Sequence, residues 1–263
     1  MRGGVAVARG ASRAAVLLGA ALFALPLIGL FSRAPWGELG EIVGDGSVAT
    51  ALGLSLRCSL LATALAALIG MPLAASLAGP ATAGRTALRV VVTLPMVLPP
   101  VVSGVALLLA FGRNGIIGGP LYELLGLSLP FTSAGVVLAE AYVAMPFFVL
   151  TVEGGLRARD RGLEDAARTL GAGPATVFLR VTLPALAPTL RAALLVAWAR
   201  ALGEFGATIT FAGNLGGETR TMPLAVYAAM ESSPGAAVAL SLVLVAVSGT
   251  ILVLMRRQWF PVR

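Results

Sequence analysis

Six apolar runs divide this chain, and their lengths constrain the fold more than any other feature. They lie at about Ala14 to Phe31, Ala51 to Leu77, Val90 to Phe111, Phe131 to Val152, Leu186 to Ala201 and Ala236 to Met255. About 20 apolar residues in a helix cross the hydrocarbon of a bilayer. Inside that hydrocarbon every peptide group must be paired within the protein, so only helices or closed barrels can cross. The runs are continuous and lack the alternation of a barrel strand, which leaves helices. The chain has 263 residues, 58% of them hydrophobic and 12% charged, with a mean hydropathy of +0.93. A soluble domain carries about 25% charged residues. The surplus apolar surface is therefore expected to face membrane lipid, and the fold to be all-α and polytopic with about six transmembrane helices.

Net charge is +7, and all 19 basic residues are arginines. A basic balance can indicate nucleic acid. Here the arginines cluster at the ends of apolar runs, as topology signals do, so no nucleic-acid partner is expected. Arg2, Arg9 and Arg13, the Arg85/Arg89 loop, the Glu153–Arg180 stretch and Arg256, Arg257 and Arg263 hold most of them. The alternate loops hold one or two each or are net acidic, as in Ser32–Ser47. The positive-inside bias then puts both termini in the cytoplasm, which an even number of spans satisfies. Without histidine and with the single Cys58, neither a zinc site nor an internal disulfide is expected. The first run is longer than a signal-peptide core and reads as a retained span. Three regions follow: residues 1–50 with the tail, first span and outer loop; a core at 51–255 with a cytoplasmic loop at about 153–184; and a cytoplasmic tail at 256–263. Neither an internal repeat nor a second, soluble domain is evident.

Proline and charge mark special points within the runs. Pro95, Pro99 and Pro100 predict a kinked or broken third span, because each lacks an N–H and crowds the preceding turn. Arg57 lies near the outer end of the second run, where it can snorkel outward. Glu140 lies within the fourth run and reads as a hydrogen bond to a neighbouring helix, or as a position nearer the interface than the run suggests, rather than as a site.

The Glu153–Arg180 stretch is polar but organised. Leu163, Ala166, Ala167 and Leu170 fall at i, i+3, i+4 and i+7, one face of a short helix. Glu164 and Asp165 stand in its first turn, where the helix dipole favours negative charge. Gly171 or Gly173 can close it, and Pro174 can open a second helix. By these signals alone the stretch could be no more than an amphipathic connection between two spans. The run Asp165-Ala166-Ala167, then Gly171, then Val181, Leu183 and Pro184 also resembles the cytoplasmic loop signature of ABC importer permeases, with matching spacing throughout. The departure is Asp165 where glutamate is usual, with Glu164 beside it, which leaves open which carboxylate takes the family's role. The resemblance covers roughly Ala51 to Met255 and implies the type I importer permease fold. It further implies that Glu164, Asp165, Ala166, Ala167, Leu170, Gly171, Ala172 and Gly173 meet an ATPase subunit. Movement of this loop would then open the spans alternately inward and outward.

The chain has no lysine, hence no P-loop, so ATP must be hydrolysed by another chain. The resemblance implies two ATPase subunits that use ATP and magnesium, a periplasmic or lipid-anchored binding protein, and a homodimer of this chain with its pathway on the two-fold axis. It implies no cofactor bound here and no catalytic residue.

A second stretch runs from Arg200-Ala201-Leu202-Gly203-Glu204-Phe205-Gly206 through Thr208, Thr210 and Asn214 to Glu218-Thr219-Arg220-Thr221-Met222-Pro223. It resembles the corresponding segment of molybdate/tungstate permeases, with sulfate permeases as cousins that end differently. Two readings stand for its polar residues. Arg200 and Glu204, at i and i+4, either line a pathway or form a self-neutralised pair that fixes packing. Gly203 and Gly206 allow close helix approach or a local break. Thr208, Thr210 and Asn214 either offer weak hydrogen bonds to a passing oxyanion or bond between helices. Glu218 and Arg220 lie in an outer loop where a binding protein would dock, or are simply solvated. The expected activity is ATP-driven import of molybdate or tungstate across a bacterial inner membrane. The alternatives are sulfate or thiosulfate as cargo and, from another class, ion-gradient-driven transport, which leaves the loop signature unexplained.

Overall fold

The computed structural model describes residues 2–160 and 162–259, and among these it is helical without a β-strand. In chain order the helices are α1 (Arg2–Ser32), α2 (Leu39–Gly44), α3 (Gly46–Leu77), α4 (Ala83–Val97), α5 (Pro100–Phe111), α6 (Gly118–Leu125), α7 (Ser133–Ala158) and α8 (Gly162–Thr169). Then come α9 (Pro174–Val177), a π-helical turn (Phe178–Thr182), α10 (Leu183–Ala185), α11 (Ala187–Leu202), α12 (Gly206–Phe211), α13 (Met222–Ser232) and α14 (Pro234–Trp259). Of the expected tail, residues 260–263 lie outside the described residues.

α1, α3, α7 and α14 are each long and apolar enough to cross a membrane, and six spans are reached when two bent helix pairs are counted as one each. α4 and α5 meet at 120°, where the prolines demand it. Leu98 and Pro99 each precede a proline and are extended, with ψ of 136° and 135°. The second pair, α9–α10 and α11, bends by 70°. Pro184 cannot donate to the carbonyl four residues back and its ring crowds that carbonyl. The backbone widens into the π-helical turn, in which Leu183 N–H bonds to Phe178 O. Pro188 then stands in the first turn of α11.

The centre is formed by α3, α7 and α11. Their contact seam is built from small residues, Ala62, Ala66, Ala74, Ala144, Ala193, Ala197 and Ala201, all fully buried. In lipid there is little hydrophobic force between helices, so close van der Waals packing over small side chains takes its place. Phe148, Val149, Val152 and Leu156 of α7 fill the space between. Trp198 of α11 donates to Ser59 Oγ of α3 at 2.9 Å, and Ser55 Oγ accepts from Met222 N at 2.7 Å, which anchors α13. The apolar side chains of α1 from Ala15 to Ser32 are exposed, as befits a lipid-facing helix.

Several boundaries differ from the sequence reading. α3 begins at Gly46 rather than Ala51, with Asp45 as its N-cap accepting from Ser47 N and Oγ; the Ser47 side chain and backbone hold the Asp45 carboxyl below its usual pKa. Arg57 is consequently 11 residues past Gly46, roughly 16 Å along the axis, deeper than a position at the outer end. It is exposed, with no ion pair among the described residues. α7 runs to Ala158, six residues beyond the expected Val152. Buried Glu153 accounts for this, pairing with Arg157 at 2.8 Å one turn on and with Arg89 of α4. Arg157 also donates to Leu77 O at 2.9 Å, satisfying a terminal carbonyl of α3. The short helices α2, α6 and α13 were not expected.

α5 and α12 meet almost backbone to backbone. A Cβ on Gly206 would stand 2.5 Å from Pro100 Cβ, and one on Gly104 would stand 2.5 Å from Thr210 Cβ. Gly104→Val and Gly206→Val should each cost about 1–3 kcal/mol through overpacking, read as a lowered midpoint of thermal unfolding in detergent. Gly203→Ala, whose Cβ would meet nothing closer than Ala199 O at 3.6 Å, should leave the midpoint unchanged.

Candidate functional site

The polar stretch between α7 and α11 folds as a compact hairpin of short helices. α8 ends in a Schellman motif: Ala172 N bonds Ala167 O at 3.0 Å and Gly171 N bonds Arg168 O at 2.9 Å. Gly171 adopts φ +83°, a left-handed conformation that glycine takes without strain. Gly173 is extended and caps α9, and Pro174 opens it. Of the two glycines able to close the helix, Gly171 does so.

The orientation of α8 separates the neighbouring carboxylates. Glu164 is 4% exposed and points inward. Its Oε1 accepts from Thr182 Oγ1 at 2.6 Å, and its Oε2 accepts from Arg159 Nη2 at 3.2 Å. Arg159 Nε lies 2.9 Å from Oε1, too bent for a hydrogen bond, and adds a charge contact. Asp165 faces outward and pairs with Arg168 at 3.2 Å. Of the two, only Asp165 stands on the outer surface. Leu163 and Leu170 are 65% and 88% exposed, and Ala166 between them is exposed as well. The apolar face of α8 therefore covers none of the chain's own core. Ala167 and Ala172 are half-buried, and Gly171 and Gly173 are exposed.

The second stretch is a broken helix. α11 ends at Leu202, and Gly203, Glu204 and Phe205 lead into α12. Glu204 is 2% exposed; its Oε2 lies 2.7 Å from Arg200 Nη2, and its Oε1 accepts from Ala207 N at 2.8 Å. One carboxylate thus neutralises Arg200 and fills an open donor at the start of α12. These contacts match the packing reading of the pair. Gly206 makes the close approach to Pro100, whereas Gly203 makes none. Thr210 Oγ1 donates to Gly206 O within its own helix, at 2.8 Å, rather than across to another. Thr208 Oγ1 is buried with no protein partner, as are Ser103 Oγ of α5 and Glu140 Oε2 of α7. The hydrogen bond expected of Glu140 to a neighbouring helix is accordingly not formed by that oxygen.

Asn214 and Arg220, assigned to different roles by the sequence, belong to one turn. Arg220 Nε donates to Asn214 Oδ1 at 2.8 Å and Nη2 to Asn214 O at 3.3 Å. Thr219 Oγ1 accepts from Leu215 N, and Gly213 and Gly217 take φ of +76° and +83°. Glu218 is exposed, and its carbonyl accepts from Ser133 Oγ at 2.8 Å. Arg220 also lines a cavity of about 510 Å³ with Glu41, Asp45 and Ser47. Sequence reasoning missed the ion-pair network of Arg89, Glu153 and Arg157: Arg157 at i+4 from Glu153 was the available signal, and Arg89 is 64 residues from Glu153.

Residues 66–258 match the family described as binding-protein-dependent transport system inner membrane component. The chain belongs to that family, and it is a multi-pass protein of the inner membrane. Over 235 residues, 89% of this chain and 89% of the relative, it is 44% identical to the molybdenum transport system permease protein ModB of Mycobacterium tuberculosis. It is 42% identical to the Escherichia coli K12 protein of the same name over 61% of this chain and 70% of that one. A sulfate transport system permease protein, CysW of Synechococcus elongatus, is 40% identical over 50% of this chain and 46% of that one. In fold, the chain matches a membrane chain of a bacterial alginate ABC transporter crystallised with an alginate-bound periplasmic protein. The TM-score is 0.74, the identity 17%, and 93% of each chain is covered.

Removing Arg200 alone would strand the Glu204 carboxylate in the interior. Arg200→Ala should destabilise the protein by about 3 kcal/mol. Arg200→Ala combined with Glu204→Gln should recover most of that loss, since the amide oxygen still accepts from Ala207 N. Unfolding midpoints of the single and double variants in detergent check this.

Proposed function

We propose that the chain is the membrane-spanning subunit of an ATP-driven importer that carries molybdate into the cytoplasm. The outward apolar face of α8, with Leu163, Ala166 and Leu170 exposed beside a Schellman turn, carries the coupling part of this reading. Burying a leucine side chain yields about 1.5–3 kcal/mol, and among the described residues no element covers that face. A groove on a separate ATPase subunit is the partner that suits it. Asp165, Ala166, Leu170 and Gly171 form the contact surface, Ala167, Ala172 and Gly173 shape the turn behind it, and Glu164 supports α8 from within. ATP and magnesium are bound and used by that ATPase and not by this chain, which translocates without catalysing a reaction.

Molybdate as cargo follows the relatives: the molybdenum permease of Mycobacterium tuberculosis is alike over 89% of the chain and that of Escherichia coli over 61%, the sulfate permease over 50%. Tungstate, with the same charge and shape, is carried by the same pathway. Two copies of this chain enclose that pathway, two ATPase subunits drive it, and a periplasmic or lipid-anchored protein delivers the anion. The end of the fold bearing α8 also bears Arg85, Arg89, Arg157, Arg159 and Arg168, whereas Glu38, Glu41, Asp45 and Glu218 gather at the opposite end. Positive charge on the cytoplasmic side therefore supports placing α8 and both termini in the cytoplasm. The stretch from Gly203 to Thr210 lies beside the pathway, with Arg200 and Glu204 fixing the break. The turn holding Asn214, Glu218 and Arg220 faces the delivering protein.

Proteoliposomes holding this chain, its ATPase and its binding protein should take up labelled molybdate only with ATP inside. Tungstate should compete and sulfate should not. Equal competition by sulfate would move the cargo to sulfate, and uptake that ignores ATP would remove the importer reading. Leu163→Asp with Leu170→Asp should cut co-purification of the ATPase by at least about tenfold, the loss expected when two apolar anchors leave an interface.

A further inference from the structure

We propose that Glu164 is a positioning residue that locks α8 to two spans at once, through Arg159 to the end of α7 and through Thr182 to the turn ahead of α11. The proposal rests on the docking reading of α8 given above and adds how a displacement of α8 leaves the loop.

Glu164 and Thr182 are both 4% exposed and are 18 residues apart in the chain. Their 2.6 Å hydrogen bond is charge-assisted, the stronger class of such bonds. Arg159 immediately follows the last residue of α7, so the carboxylate is held from that side by a cation fixed to a span. Thr182 is the last residue of the π-helical turn, and Pro184 and the 70° bend follow it. π-Helical turns interrupt the regular ladder and are often found at functional sites.

Glu164 is the one fully buried residue of α8 among the described residues, so the helix meets the spans chiefly through a polar group. A cavity of about 280 Å³ lies between α8 and the spans, lined by Leu156, Arg159, Glu164, Arg168, Phe178 and Thr182. The polar bridge crosses beside that space. The exposed face of α8 and the buried Glu164 are therefore two sides of one helix, one for the partner and one for the spans. A push on Leu163 and Leu170 reaches α7 and α11 through a carboxylate, without passing through a packed core.

The test uses the complete transporter in proteoliposomes, with labelled molybdate as probe. It reads molybdate moved per ATP hydrolysed, alongside ATPase co-purification. Thr182→Val and Glu164→Gln should each co-purify the ATPase at the wild-type yield and keep hydrolysing ATP. Molybdate per ATP should fall about fivefold in each, the change expected from one hydrogen bond. Glu164→Gln keeps an oxygen that accepts from Thr182 and loses the charge that faces Arg159, whereas Thr182→Val removes the Thr182 arm alone, so the double variant should fall further than either. Thr182→Ser, which restores the hydroxyl, should restore the wild-type ratio. An unchanged ratio in Thr182→Val, or a loss that Thr182→Ser does not restore, would overturn the proposal. Should Glu164→Gln not fold, the Thr182→Val and Thr182→Ser pair decides alone. Failure of the docking reading shows elsewhere, as ATPase co-purification unaffected by the Leu163 and Leu170 changes.

Discussion

Lipid offers no partner to a peptide group released from a helix, so every break in this chain has to be placed against protein. Breaks of this kind lie at Leu98–Pro99, around Pro184 to Pro188, and at Gly203–Phe205. Each is matched to a contact that only that site provides. Pro100, just past the first break, packs on Gly206, just past the third. Glu204 turns one carboxylate oxygen to the buried Ala207 N–H in the first turn of α12. The middle break is absorbed by the π-helical turn and tied to Glu164. Around these irregular points, α3, α7 and α11 supply a stiff alanine-lined core in which little can shift.

The charged groups follow the same logic. Glu153, Glu164 and Glu204 are nearly inaccessible to solvent, and each is held by arginine. A lone buried carboxylate is costly, whereas a paired one costs little and holds its neighbours in register. All three pairs sit where a helix ends or breaks. Each therefore does local work on the backbone as well as neutralising charge, most plainly at Leu77 O and Ala207 N. Glu140 stands apart, buried in α7 with one oxygen that has no hydrogen-bond partner among the described residues.

Much of the fold was legible in the apolar runs, since hydropathy reads directly what lipid demands. It failed where a helix continues for other reasons. α7 extends through Glu153 and Arg157 because Glu153 pairs with Arg157 and with Arg89, and that last partner is 64 residues away. α6 and α13 are short segments stabilised by packing against their neighbours, with no length signal of their own. The loop helix was visible in the spacing of Leu163, Ala166 and Leu170, and so was its closure by glycine. Which of two adjacent carboxylates turns inward was not visible. That is decided by Thr182 and Arg159, and no local pattern marks a contact 18 residues distant. Similarly, nothing local marked that Arg220 would donate to both Asn214 Oδ1 and Asn214 O.

α1 remains the least engaged element, its side chains from Ala15 to Ser32 bare of the chain's own packing and its nearest contacts made with α14. A helix held so loosely takes its tilt from the bilayer, because hydrocarbon thickness rather than neighbouring side chains sets the angle at which its apolar length is accommodated. The core of α3, α7 and α11 is indifferent to that adjustment. This chain thus sets a closely packed centre apart from an outlying span whose tilt follows the thickness of the membrane around it.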